Sequence, residues 1–242
     1  LDGTTNHSGA LTITNNDYTV AQLKTINTGT TGAITFATTD RALSGSSPDL
    51  AIALDGTTNH SGALTITNND YNVAQLKTIN NGTTGAITLN TTNVSLSGSA
   101  SDLVSAFAGT ITQLTGNINI TDTPTVAQLA TIDAATTGTI SINGGATSDP
   151  LTGTAAQVIT LLASLSDYTG NITITNADYT AAQLQAINNG TTGSITLNTS
   201  DTAISGTSAV LVDALAGTIN YTGNITITNN DYTVAQLKTI NT

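Results

Sequence analysis

Short runs in which apolar and polar residues alternate recur along the chain, as in Leu11-Thr12-Ile13-Thr14 and Ile87-Thr88-Leu89-Asn90. Period-2 alternation puts the aliphatics on one face and Thr or Asn on the other, the pattern of a short half-buried strand. The turn Asn15-Asn16-Asp17-Tyr18 follows the first run, and then Thr19-Val20-Ala21-Gln22-Leu23 reads as the start of a helix. Thr19 fits the N-cap and Gln22 the N3 position of a capping box, with Tyr18 and Leu23 as the hydrophobic staple. The same four roles recur at Tyr179, Thr180, Gln183 and Leu184, and at Tyr232, Thr233, Gln236 and Leu237. Each helix should last about two turns and stop at a pair such as Asn189-Gly190, where glycine suits a left-handed C-cap. Helices this short are marginal alone, so Val20, Leu23 and Ile26 must pack against the strands.

The chain is repetitive. Thr-Ile-Thr-Asn-Asn-Asp-Tyr-Thr-Val-Ala-Gln-Leu-Lys-Thr-Ile-Asn occurs at 12–27 and again at 226–241, with variants from Thr65, Asn119 and Thr173. Marker glycines Gly9, Gly62, Gly116, Gly170 and Gly223 stand 53, 54, 54 and 53 residues apart. Between them a second, related segment begins at Gly32, Gly85, Gly138 and Gly193, so each unit is a first coil followed by a longer second coil. Second coils carry their own helix signals, Ser46-Ser47-Pro48-Asp49 and Thr154-Ala155-Ala156-Gln157, ahead of apolar stretches. The third unit departs most, with Pro124 before its cap Thr125 and an insertion around Gly144-Gly145.

A βα step repeated in this way predicts an α/β fold. The expectation is a right-handed α/β solenoid with one parallel sheet of about nine short strands and short helices on the opposite side. It should be a single solenoid over 1–242, with units at approximately 9–61, 62–115, 116–169, 170–222 and a partial 223–242. Because the chain opens and closes inside a unit, it reads as cut from something longer.

Composition narrows the functional classes. All fifteen acidic residues are Asp, facing only Lys24, Arg41, Lys77 and Lys238, for a net charge of −11. That balance argues against a nucleic-acid partner. With no cysteine there is no disulfide framework, thiolate metal site or cysteine nucleophile. No apolar run is long enough to insert in a membrane, and Leu1-Asp2-Gly3-Thr4 has none of the features of a signal peptide.

Candidate chemistry is sparse. His7 and His60 lie one repeat apart in identical Asn-His-Ser contexts, beside Ser8 and Ser61, yet no Gly-x-Ser-x-Gly elbow accompanies them. No catalytic residue is expected. Asp17, Asp70, Asp178 and Asp231 recur in the turn before a helix, with Asp40 and Asp201 in second coils. Turn preference and the positive helix end account for them, while stacked hard oxygens would also suit calcium as a metal; no other cofactor is implied. The outward strand face gathers Thr12, Thr14, Thr35, Thr65, Thr67, Thr88, Thr173, Thr175, Thr196, Thr226 and Thr228 as a candidate binding face. Threonine is an ordinary choice for a solvated strand, but the array is also similar to the flat T-x-T faces of ice-binding solenoids and would suit glycans.

The Asn-Asp-Tyr-Thr-Val-Ala-Gln-Leu-Lys-Thr-Ile-Asn-Asn-Gly-Thr-Thr-Gly pattern resembles the Thr/Asn-rich, cysteine-free repeat regions of giant secreted or cell-surface proteins of bacteria, cyanobacteria in particular. The alternating coil lengths are similar to leucine-rich-repeat geometry without its motif. The resemblance implies extracellular or cell-surface display and often calcium-binding companion modules, and it transfers no functional residue. The expectation is a non-enzymatic structural or adhesive rod, self-associating end to end or laterally, or binding the cell surface or extracellular matrix. Ice or glycan binding through the Thr face, and a calcium-stabilised adhesin repeat, are the alternatives.

Overall fold

The computed structural model describes residues 7–142, 150–165, 168–218 and 220–241; the opening Leu1-Asp2-Gly3-Thr4 and the Gly144-Gly145 insertion fall outside them. The chain divides into two compact units, Leu1–Asn119 with Thr131–Gly138, and Ile120–Ala130 with Thr139–Thr242.

The first unit begins β1 (Leu11–Ile13), α1 (Val20–Thr28), β2 (Ile34–Phe36), β3 (Leu43–Gly45) and α2 (Ser47–Leu54). It continues with β4 (Leu64–Ile66), α3 (Val73–Asn81), β5 (Ile87–Leu89), β6 (Leu96–Gly98) and α4 (Ala100–Ala106). Next along the chain come β7 (Ile118–Ile120) and α5 (Val126–Ala135). The second unit then runs β8 (Ile140–Ile142), β9 (Leu151–Gly153), α6 (Ala155–Leu162), β10 (Ile172–Ile174) and α7 (Ala181–Gly190). It ends with β11 (Ile195–Leu197), β12 (Ile204–Gly206), α8 (Ser208–Ala216), β13 (Ile225–Ile227) and α9 (Val234–Ile240).

The helices start where the capping residues put them. Thr19, Asn72, Thr180 and Thr233 each accept from the N3 amide while the N3 glutamine reaches back to the cap, and Thr154 does the same in a second coil. Ser46 accepts from Asp49 N, with Pro48 in the first turn, where its missing N–H costs nothing.

The alternation of strand and helix fits a solenoid, but the expectation of one sheet of about nine strands is corrected. Among the described residues there are thirteen three-residue strands in sheets of two or three. Four strands escaped the sequence pattern: β3, β6, β9 and β12, each an aliphatic, a hydroxyl residue and a glycine. In each second coil, therefore, two strands precede the helix, and the turn between them, 37–42 in the first case, breaks the sheet. Asp40 and Asp201 lie in this inter-strand turn rather than at a helix start.

All pairing is parallel. In the first unit β1 pairs with β2, and β4 is the centre of β3-β4-β5; in the second, β10 is the centre of β9-β10-β11, and β12 pairs with β13. A central strand buries both of its aliphatics, as Leu64 with Ile66 and Ile172 with Ile174 do. In β1 and β13, which have one neighbour each, both aliphatics are only half-buried.

Coils meet closely. A Cβ on Gly85 would come within 2.0 Å of Gly62 O, and one on Gly62 equally near Arg41 O, so these two glycines are demanded by the backbone of the adjacent coil. The helix-ending glycines need correction. Gly29 and Gly82 have φ of −91° and −86°, not left-handed values. Glycine is required at Gly82 because a Cβ would lie 2.5 Å from Leu54 O, whereas at Gly190 one would meet only the movable end of the Leu162 side chain, at 2.8 Å. Where the carbonyl of a neighbouring helix presses this closely, only a residue without Cβ fits.

Tyrosine does more than staple. Tyr18, Tyr71 and Tyr179 are buried, and each hydroxyl donates to a carbonyl twenty residues on: Thr38 O at 3.0 Å, Thr91 O at 2.6 Å and Thr199 O at 2.6 Å. Each thus latches a first coil to the second coil that covers it. Burial pushes the Tyr71 hydroxyl up to about 12, so it remains a neutral donor.

Equivalent leucines in near-identical sequences should differ in worth. Leu76 is fully buried, whereas Leu237 is 37 % exposed. Leu76→Ala is expected to cost roughly 2–5 kcal/mol and Leu237→Ala well under half of that, as read from denaturant unfolding of both variants.

Candidate functional site

Each Asp that the sequence offered as a metal ligand accepts a hydrogen bond from the asparagine two residues before it: Asp17 from Asn15, Asp70 from Asn68 at 2.5 Å, Asp178 from Asn176 at 2.5 Å, and Asp231 from Asn229. The bond leaves the asparagine Oδ1 free to turn the other way. Asn68 Oδ1 accepts from Ser47 N at 2.7 Å, Asn176 Oδ1 from Ala155 N at 2.8 Å, and Asn229 Oδ1 from Ser208 N at 2.7 Å. These amides are the first of α2, α6 and α8, and amides at a helix start have no partner within their own helix. The Asn-x-Asp turn is therefore a tertiary cap, through which a first coil closes the start of the preceding second-coil helix. No group of three or more His, Cys, Asp or Glu is gathered among the described residues.

The hydroxyls align in rows across the small sheets. Thr12 is in register with Thr35, Thr65 lies between Ser44 and Thr88, Thr173 between Thr152 and Thr196, and Thr226 beside Ser205. All of these threonines are half-buried or exposed. Thr12 and Thr35 are joined Oγ1 to Oγ1 at 3.1 Å. Thr14, Thr67, Thr175 and Thr228 lie one residue past their strands, and the last three of these donate their amides to Gly45, Gly153 and Gly206. Ser44, Thr152 and Ser205 belong to the rows but were missed, because a strand of three residues that ends in glycine leaves no alternation to detect.

The two histidines occupy different surroundings despite identical contexts. His7 is exposed. His60 is buried, with Nδ1 2.9 Å from Thr83 Oγ1, Nε2 3.0 Å from Arg41 O, and its ring edge-on to Phe36. Ser61 Oγ donates to Thr39 Oγ1 instead of meeting the imidazole, so no serine and histidine pair forms there. Two residues before a later marker glycine stands Tyr221, whose hydroxyl donates to Thr202 O at 2.7 Å, the counterpart of the bond from His60 to Arg41 O. A position filled by either His or Tyr with the same carbonyl as partner is a clamp between coils.

No known family matches this chain, and no curated protein does either. What the site can do must be read from its own groups. Among the described residues no buried side-chain polar atom lacks a partner. The partners lie mostly in the adjacent coil.

The helices carry ion pairs of the same kind. Lys24 Nζ meets Asp49 at 2.6 Å and Lys77 Nζ meets Asp102 at 2.5 Å, each from a first-coil helix to the next second-coil helix. The lysine hydrogen bond, followed by that of the cap serine, holds each carboxyl below its ordinary range. Both pairs are solvent-exposed, so salt screens them and they guide register more than they stabilise.

Two hollows have a partly apolar lining. One hollow is lined by Ile13, Tyr18, Ala21 and Ile26 in the first coil, and another by Ile225, Ile227, Val234, Leu237, Lys238 and Asn241 in the last.

Two outcomes are expected. Asn68→Ala should cost about 1 kcal/mol in chemical denaturation, the usual worth of a helix cap, and Asp70→Ala less, because it only orients that cap. Burial lowers the His60 pKa, so the folded ring resists a proton that the unfolded chain takes up near pH 6.5. Stability should thus be complete above that pH and fall as pH drops through the depressed folded value; His60→Gln should flatten this part of a melting-temperature profile.

Proposed function

We propose that this chain is a non-enzymatic structural or adhesive repeat segment of a large extracellular surface protein, and that it associates with itself. The observation that carries the reading is the repeated use of side-chain chemistry between coils: tyrosine hydroxyls to carbonyls, asparagines to helix starts, histidine to Arg41 O. Polar groups bound in this way hold neighbouring coils in register and are not free to bind substrate. The resemblance to Thr/Asn-rich bacterial surface repeats supports display outside the cell. Sedimentation velocity over a hundredfold range of concentration tests this reading. Reversible association is expected, and a strictly monomeric chain at the highest concentration would remove the self-associating part of the proposal.

A second reading, ice or glycan binding, is favoured by the hydroxyl rows Ser44-Thr65-Thr88 and Thr152-Thr173-Thr196. Such an activity would appear as thermal hysteresis or glycan-array binding that disappears in Thr173→Leu. The spacer reading expects no change in either assay.

A further inference from the structure

In the first unit the helices α2 and α3 end side by side, and a hollow of about 110 Å³ lies between their ends. Leu54-Asp55-Gly56-Thr57 forms one wall, and Thr78, Asn81 and Gly82 form the other. The hydroxyl donors of these walls are already turned onto the protein. Thr57 Oγ1 is 2.8 Å from both Leu54 O and Gly82 O, and Thr78 Oγ1 donates to Ala74 O at 3.1 Å. The amides of Asp55, Thr57 and Gly82 likewise donate to Ala51 O, Leu54 O and Thr78 O. What the side chains leave for the hollow is oxygen lone pairs: those of the Asp55 carboxylate, of Thr78 Oγ1 and of Asn81 Oδ1.

The charge at this point is unbalanced. The last carbonyls of a helix have no partner in their own helix and form its negative end. Two such ends meet here. Neither helix has a basic residue in its last turn, and Asp55, at the C-cap of α2, adds a full negative charge. Asp55 is exposed and in no ion pair among the described residues: Lys24 and Lys77 are held by Asp49 and Asp102, and Arg41 Nε donates to Tyr18 O. The turn itself does not call for a carboxylate. Ala108 stands ahead of Gly109 where Asp55 stands ahead of Gly56, and the two glycines have nearly the same left-handed φ, 74° and 70°. An acid where the fold accepts alanine, at the joined negative ends of two helices and beside a hollow walled by oxygen, calls for a cation.

We infer that this hollow is a binding site for a hard divalent cation of calcium's size. Side chains that offer only oxygen suit calcium or magnesium over metals that seek nitrogen or sulfur. Calcium is favoured because the ligands stand on two separate elements, whereas magnesium demands a near-ideal octahedron. The volume also leaves room for waters, at roughly 30 Å³ each, to complete a shell of about six to eight oxygens. Asp55 supplies the charge, and Asn81 Oδ1 and Thr78 Oγ1 are the neutral ligands. A single carboxylate keeps the affinity low, at about a millimolar Kd. Bound there, the cation ties the end of a second-coil helix to that of the next first-coil helix. The site is separate from the Asn-x-Asp turns and does not depend on the reading of the chain as a structural segment.

An NMR titration of the full chain with calcium chloride, at an ionic strength fixed with sodium chloride, tests the site. Amide shifts confined to 54–57 and 78–82 are expected, saturating with a Kd of about a millimolar. The melting temperature should rise by roughly 4–7 °C between chelator and about 20 mM calcium. Asp55→Ala, which copies the residue at 108, should abolish both effects and leave the melting temperature in chelator unchanged or slightly higher, because a charge leaves a negative helix end. Asp55→Asn keeps the shape and loses the charge; it should weaken binding more than tenfold, and it carries the test if Asp55→Ala does not fold. Asp70→Ala should keep the calcium response, since its turn lies outside the hollow. No saturable shift at 54–57 and 78–82, equal shifts with sodium chloride alone, or binding indifferent to both Asp55 variants overturns the inference. A response lost in Asp70→Ala and kept in Asp55→Ala would move the cation to the turns and overturn it equally.

Discussion

The structure depends on one constraint: a coil of this chain cannot satisfy its own backbone or bury its own aliphatics, and the next coil must do both. A three-residue strand has two open edges, and a helix of seven to ten residues is too short to hold itself. Parallel neighbours close the edges, and within each unit the inward aliphatics then pack with the buried faces of the helices. The difference between β4, fully buried between two neighbours, and β13, half-buried beside one, measures what that neighbour contributes.

Given that constraint, the polar residues have little freedom. Asn68 is held by Asp70 so that it can close α2, and Tyr71 is held beneath the next strand so that it can reach Thr91 O. Such groups resemble functional residues in sequence, being recurrent, polar and in turns. Their chemistry is directed at the protein itself. Recurrence is what distinguishes them, because a catalytic group needs one arrangement and a stacking group needs the same arrangement in each unit.

Several features are legible in the amino-acid sequence alone. Capping boxes at Thr19, Asn72, Thr180 and Thr233 can be read from residue type and spacing, since a cap involves only atoms within four residues of each other. The strands Leu11–Ile13 and Ile87–Leu89 show themselves by alternation. Leu43–Gly45 and its counterparts do not, because glycine replaces the second aliphatic and the pattern is too short to have a period. The Asn-x-Asp turn was visible as a recurring motif, but its target, the amide of Ser47, lies twenty-one residues away.

The amino-acid sequence by itself determined the repeat, the parallel βα step, the helix starts and the absence of cysteine or strongly cationic chemistry, because each depends on local spacing or on composition. Only tertiary structure decided which of two identical contexts is buried. His7 and His60, or Leu76 and Leu237, have the same neighbours in sequence but different neighbours in space, and burial belongs to the latter. The division into small sheets was decided the same way: edges close where one coil happens to lie against the next, and no residue records that in its own vicinity.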